Sequence, residues 1–521
     1  MSGLTSQGRI EADVRQEIAA TPPKQWSVER LVLVVIGLLV VFANLPFWQI
    51  ALAGRSFDDP KTWQFVFSTA MLIAWLHAVP ALILSTRFTV RPVLTLFVLS
   101  ALIAQHMMRQ YGVVLDPSML RNALRTDVRE ASELITPWFI ANVCFASVAA
   151  VAIWRIPLRQ HSWRRALGVR VLTVVGVSVV GIGALLLGFQ DFSSTMRNQK
   201  GLRYRITPAN VIYSTIRVLA DDLRDAARTA EPLMPIRTAS AAVGQKPRLL
   251  VLVVGETARA MNFSLNGYPR PTNPELSKRS IINFPQTSAC GTSTEVSLPC
   301  MFSSQGRADY DEARIRASES LIQLLARAGM RVVWLDNQSG CKNVCAGVEF
   351  KDVSSSSIDS PLCPGNRCFD GVLVEGLREI IDVASKGPAQ DTVVVLHQLG
   401  NHGPAYAKRY PQEFAQFKPE CKKAELRDCS RDEIVNAYDN AILYTDHIVA
   451  SIIDLLATQE ARFDVGLIYV SDHGESLGEK GLYLHGMPYA IAPQEQLAVP
   501  MVWWFGGTGA RGWDGIDEAC L

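Results

Sequence analysis

Five long apolar runs in the first 190 residues constrain this chain more than any other feature. They occupy residues 31–51, 64–85, 91–108, 136–154 and 169–189. Each is near the roughly 20 residues that a helix needs to cross the hydrocarbon core of a bilayer. One such run fits a buried helix of a soluble core. Five in succession, joined by short polar connections, predict a membrane domain. The first is too long and starts too late to be a cleavable signal peptide, and further spans follow it.

Basic residues give the orientation. Arg9, Arg15, Lys24 and Arg30 precede the first run, and Arg87 and Arg91 join the second to the third. Arg155, Arg159, Arg164, Arg165 and Arg170 join the fourth to the fifth. These segments share one side if all five runs span, and the positive-inside rule makes that side cytoplasmic. Everything after the fifth span then lies outside. The cysteines agree. Eight of the ten form close pairs after the spans: Cys290/Cys300, Cys341/Cys345, Cys363/Cys368 and Cys421/Cys429. Their spacing is not CxxC and no paired histidines accompany them, so local disulfides in an oxidising compartment fit better than zinc ribbons. Cys144 and Cys520 are expected to be unpaired. A net charge of +2 argues against nucleic-acid binding.

The segment 109–135 between the third and fourth runs reads as a polar-faced helix, with Leu120, Leu124 and Val128 at four-residue spacing, suited to the membrane interface. Residues 1–189 thus form the predicted transmembrane domain, 190–246 a linker, and 247–521 a second domain. Within the linker, 208–228 is amphipathic, with Ile212, Ile216, Val218 and Leu219 assigned to one side.

From residue 247, short β-rich runs (PRLLVLVVGE, RVVWLD, DTVVVLHQLG, DVGLIYVSDHGES) alternate with helical stretches, which predicts an α/β domain with a mainly parallel sheet. Polar motifs sit where strands end, the edge at which such sheets bind ligands. They are Gly255-Glu256-Thr257, His397 to Pro404 with His402, and Asp472-His473 followed by His485. His447, on a predicted helix, is an ordinary surface or packing residue. Asp472, His473 and Glu256 offer mixed oxygen and nitrogen ligation, which suits zinc and, less specifically, manganese or iron. A metal beside the hydroxyl-rich segment 288–295 suggests covalent catalysis. Chemistry at this level leaves Thr257, Thr287, Thr292, Ser293 and Thr294 all open as nucleophile.

At these residues the chain resembles the lipid A phosphoethanolamine transferases, including the mobile colistin-resistance type. The strings that carry the likeness are VVGETARAMNFSLNGYPRPTNPEL, SACGTSTEVSLPCMFS, LHQLGNHGPAYAKRYP, NAYDNAILYTD and SDHGESLGEKGLYLHGMPYAIAPQEQ. The resemblance implies five membrane helices carrying an alkaline phosphatase/sulfatase-like α/β domain in the periplasm, anchored in the bacterial inner membrane. It implies a monomer that moves phosphoethanolamine from phosphatidylethanolamine to a lipid A phosphate through a phosphothreonine-type intermediate, conferring polymyxin resistance. Carried over residue by residue, Thr294 is the nucleophile. Glu256, Thr294, Asp472 and His473 hold one tightly bound zinc, with a second as an option. Asn122, Thr126, Glu130, Lys342, His402 and His485 contact substrate. Asn122, Thr126 and Glu130 are spaced to line one helix face. The chain departs from the family after VPMVWWF, ending GGTGARGWDGIDEACL, beyond every mapped site residue.

Two other readings share these features: a phosphodiesterase or sulfatase on the same fold, and a non-enzymatic membrane sensor. The spans favour a lipid donor over the first. The intact nucleophile and ligand set favours an enzyme over the second.

Overall fold

The computed structural model describes residues 25–126, 128–199, 201–226, 246–354, 361–364 and 367–506. Arg9, Arg15, Lys24, residues 200 and 227–245 of the expected linker, Cys520 and the glycine-rich tail lie outside the described residues. The chain separates into two compact units: Met1–Gln105 with Ala141–Ala209, and His106–Ile140 with Asn210–Leu521.

In chain order the first helices are α1 (Val28–Leu38), α2 (Leu45–Ala51), α3 (Pro60–Leu84), α4 (Val90–Tyr111), α5 (Pro117–Arg125), α6 (Val128–Glu133), α7 (Pro137–Arg155), α8 (Trp163–Asn198) and α9 (Ala209–Ala226). The apolar runs become α1 with α2, α3, α4, α7 and α8, all long and apolar enough to cross a membrane. Ser27 caps α1 by accepting from Arg30 N, and Asp59 caps α3 by accepting from Lys61 N. The first span is bent by 56° where a π-helical turn, Leu39–Ala43, meets α2. Asn44 satisfies the backbone there. Its amide donates to Leu39 O and Thr207 O, both at 2.9 Å, and its oxygen accepts from Thr207 N at 2.8 Å. Helices α3 and α8 meet along small residues: a side chain at Gly181 would collide with Trp75, and one at Gly188 with Ser68.

The second unit is built on a seven-stranded sheet of order β2-β9-β6-β1-β5-β3-β4. The strands are β1 (Arg248–Gly255), β2 (Ile282–Ser288), β3 (Arg331–Asp336), β4 (Glu349–Asp352), β5 (Thr392–His397), β6 (Asp464–Ser471) and β9 (Ala498–Phe505), while β7 (Ser476–Leu477) and β8 (Tyr483–Leu484) pair apart from it. Strands β6, β1, β5, β3 and β4 pair in parallel, while β9 runs antiparallel to both β6 and β2. Both faces of β1 and β5 are covered, which explains their unbroken Val/Leu runs. The remaining α-helices of the unit are α10 (Thr294–Met301), α11 (Glu312–Ala317), α12 (Leu321–Arg327), α13 (Gly371–Lys386), α14 (Arg431–Ala457) and α15 (Gln494–Leu497). Helix α14 also has the length and composition of a span, yet 72% of its apolar window is buried in the protein. Its buried Asp446 is an interior anchor, accepting from Glu275 N at 2.8 Å and Leu276 N at 3.1 Å.

Segment 106–140 and α9 belong to this second unit. Arg121 of α5 is buried and ion-paired to Glu312 and Asp222, and Ser214 of α9 donates to Leu115 O at 2.9 Å. Two expectations need correction. The segment 109–135 is not one helix: Thr126 ends α5 in extended backbone (ψ 137°), so Asn122, Thr126 and Glu130 do not share a helix face. The hydroxyl of Thr126 instead donates to Asn122 O at 2.8 Å. In α9, Val218 is buried while Ile216 and Leu219 are exposed, because two helical steps carry a side chain about 200° around the axis.

All four expected disulfides are formed: Cys290–Cys300, Cys341–Cys345, Cys363–Cys368 and Cys421–Cys429. Cys144 is unpaired and exposed.

Candidate active site

The register of the central strands assembles the site. Gly255 pairs with Ser471, so the next residues, Glu256 and Asp472-His473, emerge side by side at the carboxyl edge of the sheet. Thr257 sits in the left-handed region (φ 53°), a costly conformation for a β-branched residue. It is held there by Tyr438 Oη, which donates to Thr257 O at 2.6 Å, and by its own N–H, which donates to Asp472 Oδ1 at 3.2 Å. The turn aims Glu256 inward. Gly400 of the His397-to-Pro404 loop packs so close that a Cβ would lie 2.7 Å from Glu256 O.

Glu256, Asp472 and His473 are fully buried, and each offers a ligand atom within 4.8 Å of the others. Thr294, the first residue of α10, joins them. Its Oγ1 donates to Glu256 Oε2 at 3.1 Å and lies 3.5 Å from His473 Nε2. The amino end of α10 also directs its partial positive charge at this point. His473 Nδ1 faces Gly474 O at 2.9 Å and must be the protonated nitrogen, so in the neutral ring Nε2 carries a lone pair. Burial keeps that ring neutral by drawing its pKa down to about 4. The lone pair stands 3.3 Å from Asp472 Oδ2 and 3.4 Å from Glu256 Oε1. Among the described residues Asp472 Oδ2 accepts no hydrogen bond. Burial, and next the charge of Asp472, push the Glu256 carboxyl well above the usual carboxylate range. Two carboxylates and a neutral imidazole converging in a site whose burial disfavours their uncompensated charge fit a divalent cation, and the donor set suits zinc.

Around this cluster lie the other expected residues. The rings of His485 and His473 are 4.3 Å apart, and those of His485 and His402 5.5 Å. His402 Nε2 is 3.0 Å from Glu130 Oε1. Burial opposes ionisation of Glu130, but His402, together with the charges of His485 and Lys342, outweighs it and lowers the carboxyl pKa to about 2. Lys342, also in the left-handed region (φ 49°), adds its charge to the field on Glu130 and donates to Ser339 O at 3.0 Å. Asn122 and Thr126 bond to one another, and no bond from either to the Thr294 cluster is seen among the described residues.

Sequence reasoning missed three supporting groups. Gln338 donates to Glu256 Oε2 at 2.9 Å. Glu475 holds His485 Nδ1 at 2.8 Å and accepts from Tyr406 Oη at 2.6 Å. Ser297 donates to Asp472 O at 2.5 Å. Glu475 stands within the same SDHGES string as the ligands, and that adjacency was the available signal. His447 is 2.8 Å from Glu275 and takes no part.

Residues 72–223 match the family described as phosphoethanolamine transferase EptA/EptB, and residues 248–519 match the sulfatases. Phosphoethanolamine transferase EptA of Escherichia coli K12 is 39% identical over 444 residues, covering 83% of this chain and 78% of that protein. Phosphatidylethanolamine transferase Mcr-1 of Escherichia coli is 37% identical over 496 residues, 92% of this chain and 90% of that one. The solved integral membrane lipooligosaccharide phosphoethanolamine transferase A from Neisseria meningitidis aligns with TM-score 0.89 and 34% identity, over 96% of this chain and 92% of its own.

Proposed function

The chain belongs to the EptA/EptB phosphoethanolamine transferases, multi-pass inner-membrane enzymes with a periplasmic catalytic domain, and we propose that Thr294 carries the transferred group between its two lipid substrates. The donor is phosphatidylethanolamine and the acceptor a phosphate of lipid A. The observation that carries this is the Thr294 hydroxyl, bonded to Glu256 and facing His473 in a buried cluster suited to a cation.

In the first half-reaction Thr294 Oγ1 gives up its proton and forms a bond to the donor phosphorus, the bond from phosphorus to the diacylglycerol oxygen breaks, and that oxygen keeps the electron pair and takes up a proton, so that none is gained or lost overall. Glu256, Asp472, His473 and Thr294 Oγ1 would hold one zinc ion. When bound, zinc makes the threonine alkoxide accessible at neutral pH and stabilises charge on the phosphoryl group. Glu256 receives the threonine hydrogen bond and so fixes the direction of attack. His485, oriented by Glu475, and His402 steady the phosphate and deliver the proton to the leaving oxygen. Glu130 offers the ethanolamine ammonium a carboxylate, with Asn122, Thr126 and Lys342 completing the headgroup surroundings. Transfer to lipid A masks negative charge and confers resistance to the cationic polymyxins, colistin among them.

Mass spectrometry of lipid A from cells with and without the chain tests the activity. Peptide mass spectrometry tests the intermediate. Phosphoethanolamine should be found on Thr294, and Thr294→Ala should abolish both adduct and lipid A modification while leaving membrane insertion intact. An adduct on any other residue would refute the assignment. Zinc analysis of the purified protein should find metal, reduced by Asp472→Ala.

A further inference from the structure

Glu295, the residue after the candidate nucleophile, stands outside the metal cluster. Its buried side chain meets two arginines: Oε1 accepts from Arg125 of α5 and, at 2.8 Å, from Arg316 of α11. Arg316 also reaches Glu312, one turn back on its own helix, at 3.1 Å. Glu312 pairs with the buried Arg121 of α5. Arg121 lies 3.4 Å from Asp222 of α9, and Asp222 lies 3.3 Å from Arg125. These pairs close a ring in the order Glu295, Arg316, Glu312, Arg121, Asp222, Arg125, in which every charge meets at least two of opposite sign. Its charges balance within it, so its part is to join helices: α5, α9, α10 and α11.

Geometry ties the ring to the reaction. Arg121 and Arg125 are one turn apart and share a face of α5. Arg125 is the last residue of that helix, and the extended backbone at Thr126 then turns the chain toward α6 and Glu130. Met119, earlier in α5, packs under the His485 loop: a Cβ at Gly486 would lie 2.5 Å from Met119 Sδ. Gly486 N donates to Thr292 O at 2.7 Å, two residues before Thr294. Helix α5 thus touches the nucleophile's helix through Arg125 and the His485 loop through Met119. The edge from Arg125 to Asp222 is open to solvent, at 40% and 39% exposure, and contributes little alone. The bond from Arg125 to Glu295 is the costly one to lose, because it leaves a buried carboxylate with one cation where it had two.

We propose that Arg125 is a positioning residue for donor binding, which acts through Glu295 to register the bend between α5 and α6 against Thr294. The inference rests on the transferase reading above. The ring gives it a signature. Arg316 still holds Glu295 when Arg125 is removed, so α10 and the Thr294 hydroxyl keep their place beside Glu256 and His473. What loosens is α5, and with it the headgroup surroundings that follow. Loss of Arg125 therefore weakens binding of phosphatidylethanolamine and spares the chemical step, which raises KM without lowering kcat. A residue serving stability alone would lower the amount of folded enzyme and leave the KM of the remainder unchanged.

The measurement is formation of the Thr294 adduct from phosphatidylethanolamine by the full-length protein in detergent micelles, followed against donor concentration. Arg125→Ala should raise the half-saturating concentration about tenfold, the loss expected for one charge-assisted bond, with the saturating rate and zinc content unchanged. The isosteric Glu295→Gln should act in the same direction, and the double variant should be no worse than Glu295→Gln alone, because both remove one link. Arg125→Lys keeps the charge but not the fork, and should fall between Arg125→Ala and the unmodified enzyme. An unchanged half-saturating concentration in Arg125→Ala, a saturating rate that falls with it, or additive losses in the double variant would overturn the proposal. If the unmodified enzyme forms no Thr294 adduct, the covalent intermediate fails instead. Binding of phosphatidylethanolamine to the Thr294→Ala protein then decides the role of Arg125: a loss of about tenfold on adding Arg125→Ala supports it, and equal binding overturns it.

Discussion

Five hydroxyls competed for the role of nucleophile on chemical grounds, and hydrogen bonding separates them. Thr292 Oγ1 donates to Met487 O at 2.6 Å, and Thr287 Oγ1 points to Phe284 O at 3.3 Å. Thr257 is locked in its strained turn with Oγ1 buried and without a partner among the described residues. Ser293 stands at the cap of α10 and bonds no helix N–H through its side chain. Thr294 Oγ1 lies within 3.5 Å of both Glu256 and His473. Glu256, Asp472 and His473 were legible because carboxylates and histidines at strand ends have few structural uses. The choice among adjacent hydroxyls was not, since neighbouring positions at a helix start differ only in direction. The partnership of Glu130 with His402, 272 positions away, was equally invisible. If Glu130 receives the ethanolamine ammonium, Glu130→Ala should weaken use of phosphatidylethanolamine about tenfold or more, by loss of one charge-assisted bond, while zinc content stays constant. Unaltered lipid A modification in cells carrying the variant would leave Glu130 a merely structural residue.

At the scale of elements, period and composition carried the spans, the sheet and α14, because long apolar or β-rich runs leave few alternatives. They failed at α5 and α6. A two-residue gap is enough to redirect a helix, and periodicity read over the whole segment averages across it. Glycine positions in α8 were likewise silent in the sequence, where GIGALLLGF reads only as apolar. In the structure they set the spacing of two spans. Gly188→Val should therefore push α8 from Ser68 of α3, at a cost of about 1–3 kcal/mol typical of overpacking. The measurement is thermal unfolding in detergent, with Gly183→Val as control because nothing lies within 4 Å of its would-be Cβ. Equal losses in the two variants would mean that close approach at Gly188 contributes nothing.

For the whole molecule, charge distribution and cysteine pairing agreed on sidedness from unrelated physics: retention of arginines on one face, and survival of disulfides on the other. A reporter active only in the cytoplasm, fused after residue 240, should be silent, and one fused after Arg159 should be active. Cytoplasmic activity at 240 would overturn the topology. Sequence divided the chain by composition, placing 109–135 with the membrane half and 208–228 in a linker. Contacts group residues 106–140 and α9 with the sheet. That grouping has a practical consequence. A soluble fragment starting near residue 247 keeps Thr294 and every proposed metal ligand, yet it lacks Glu130 and Arg125. Compounds screened against such a fragment would meet a floor without its wall, and those selected by it would be tuned to a surface that living cells never expose.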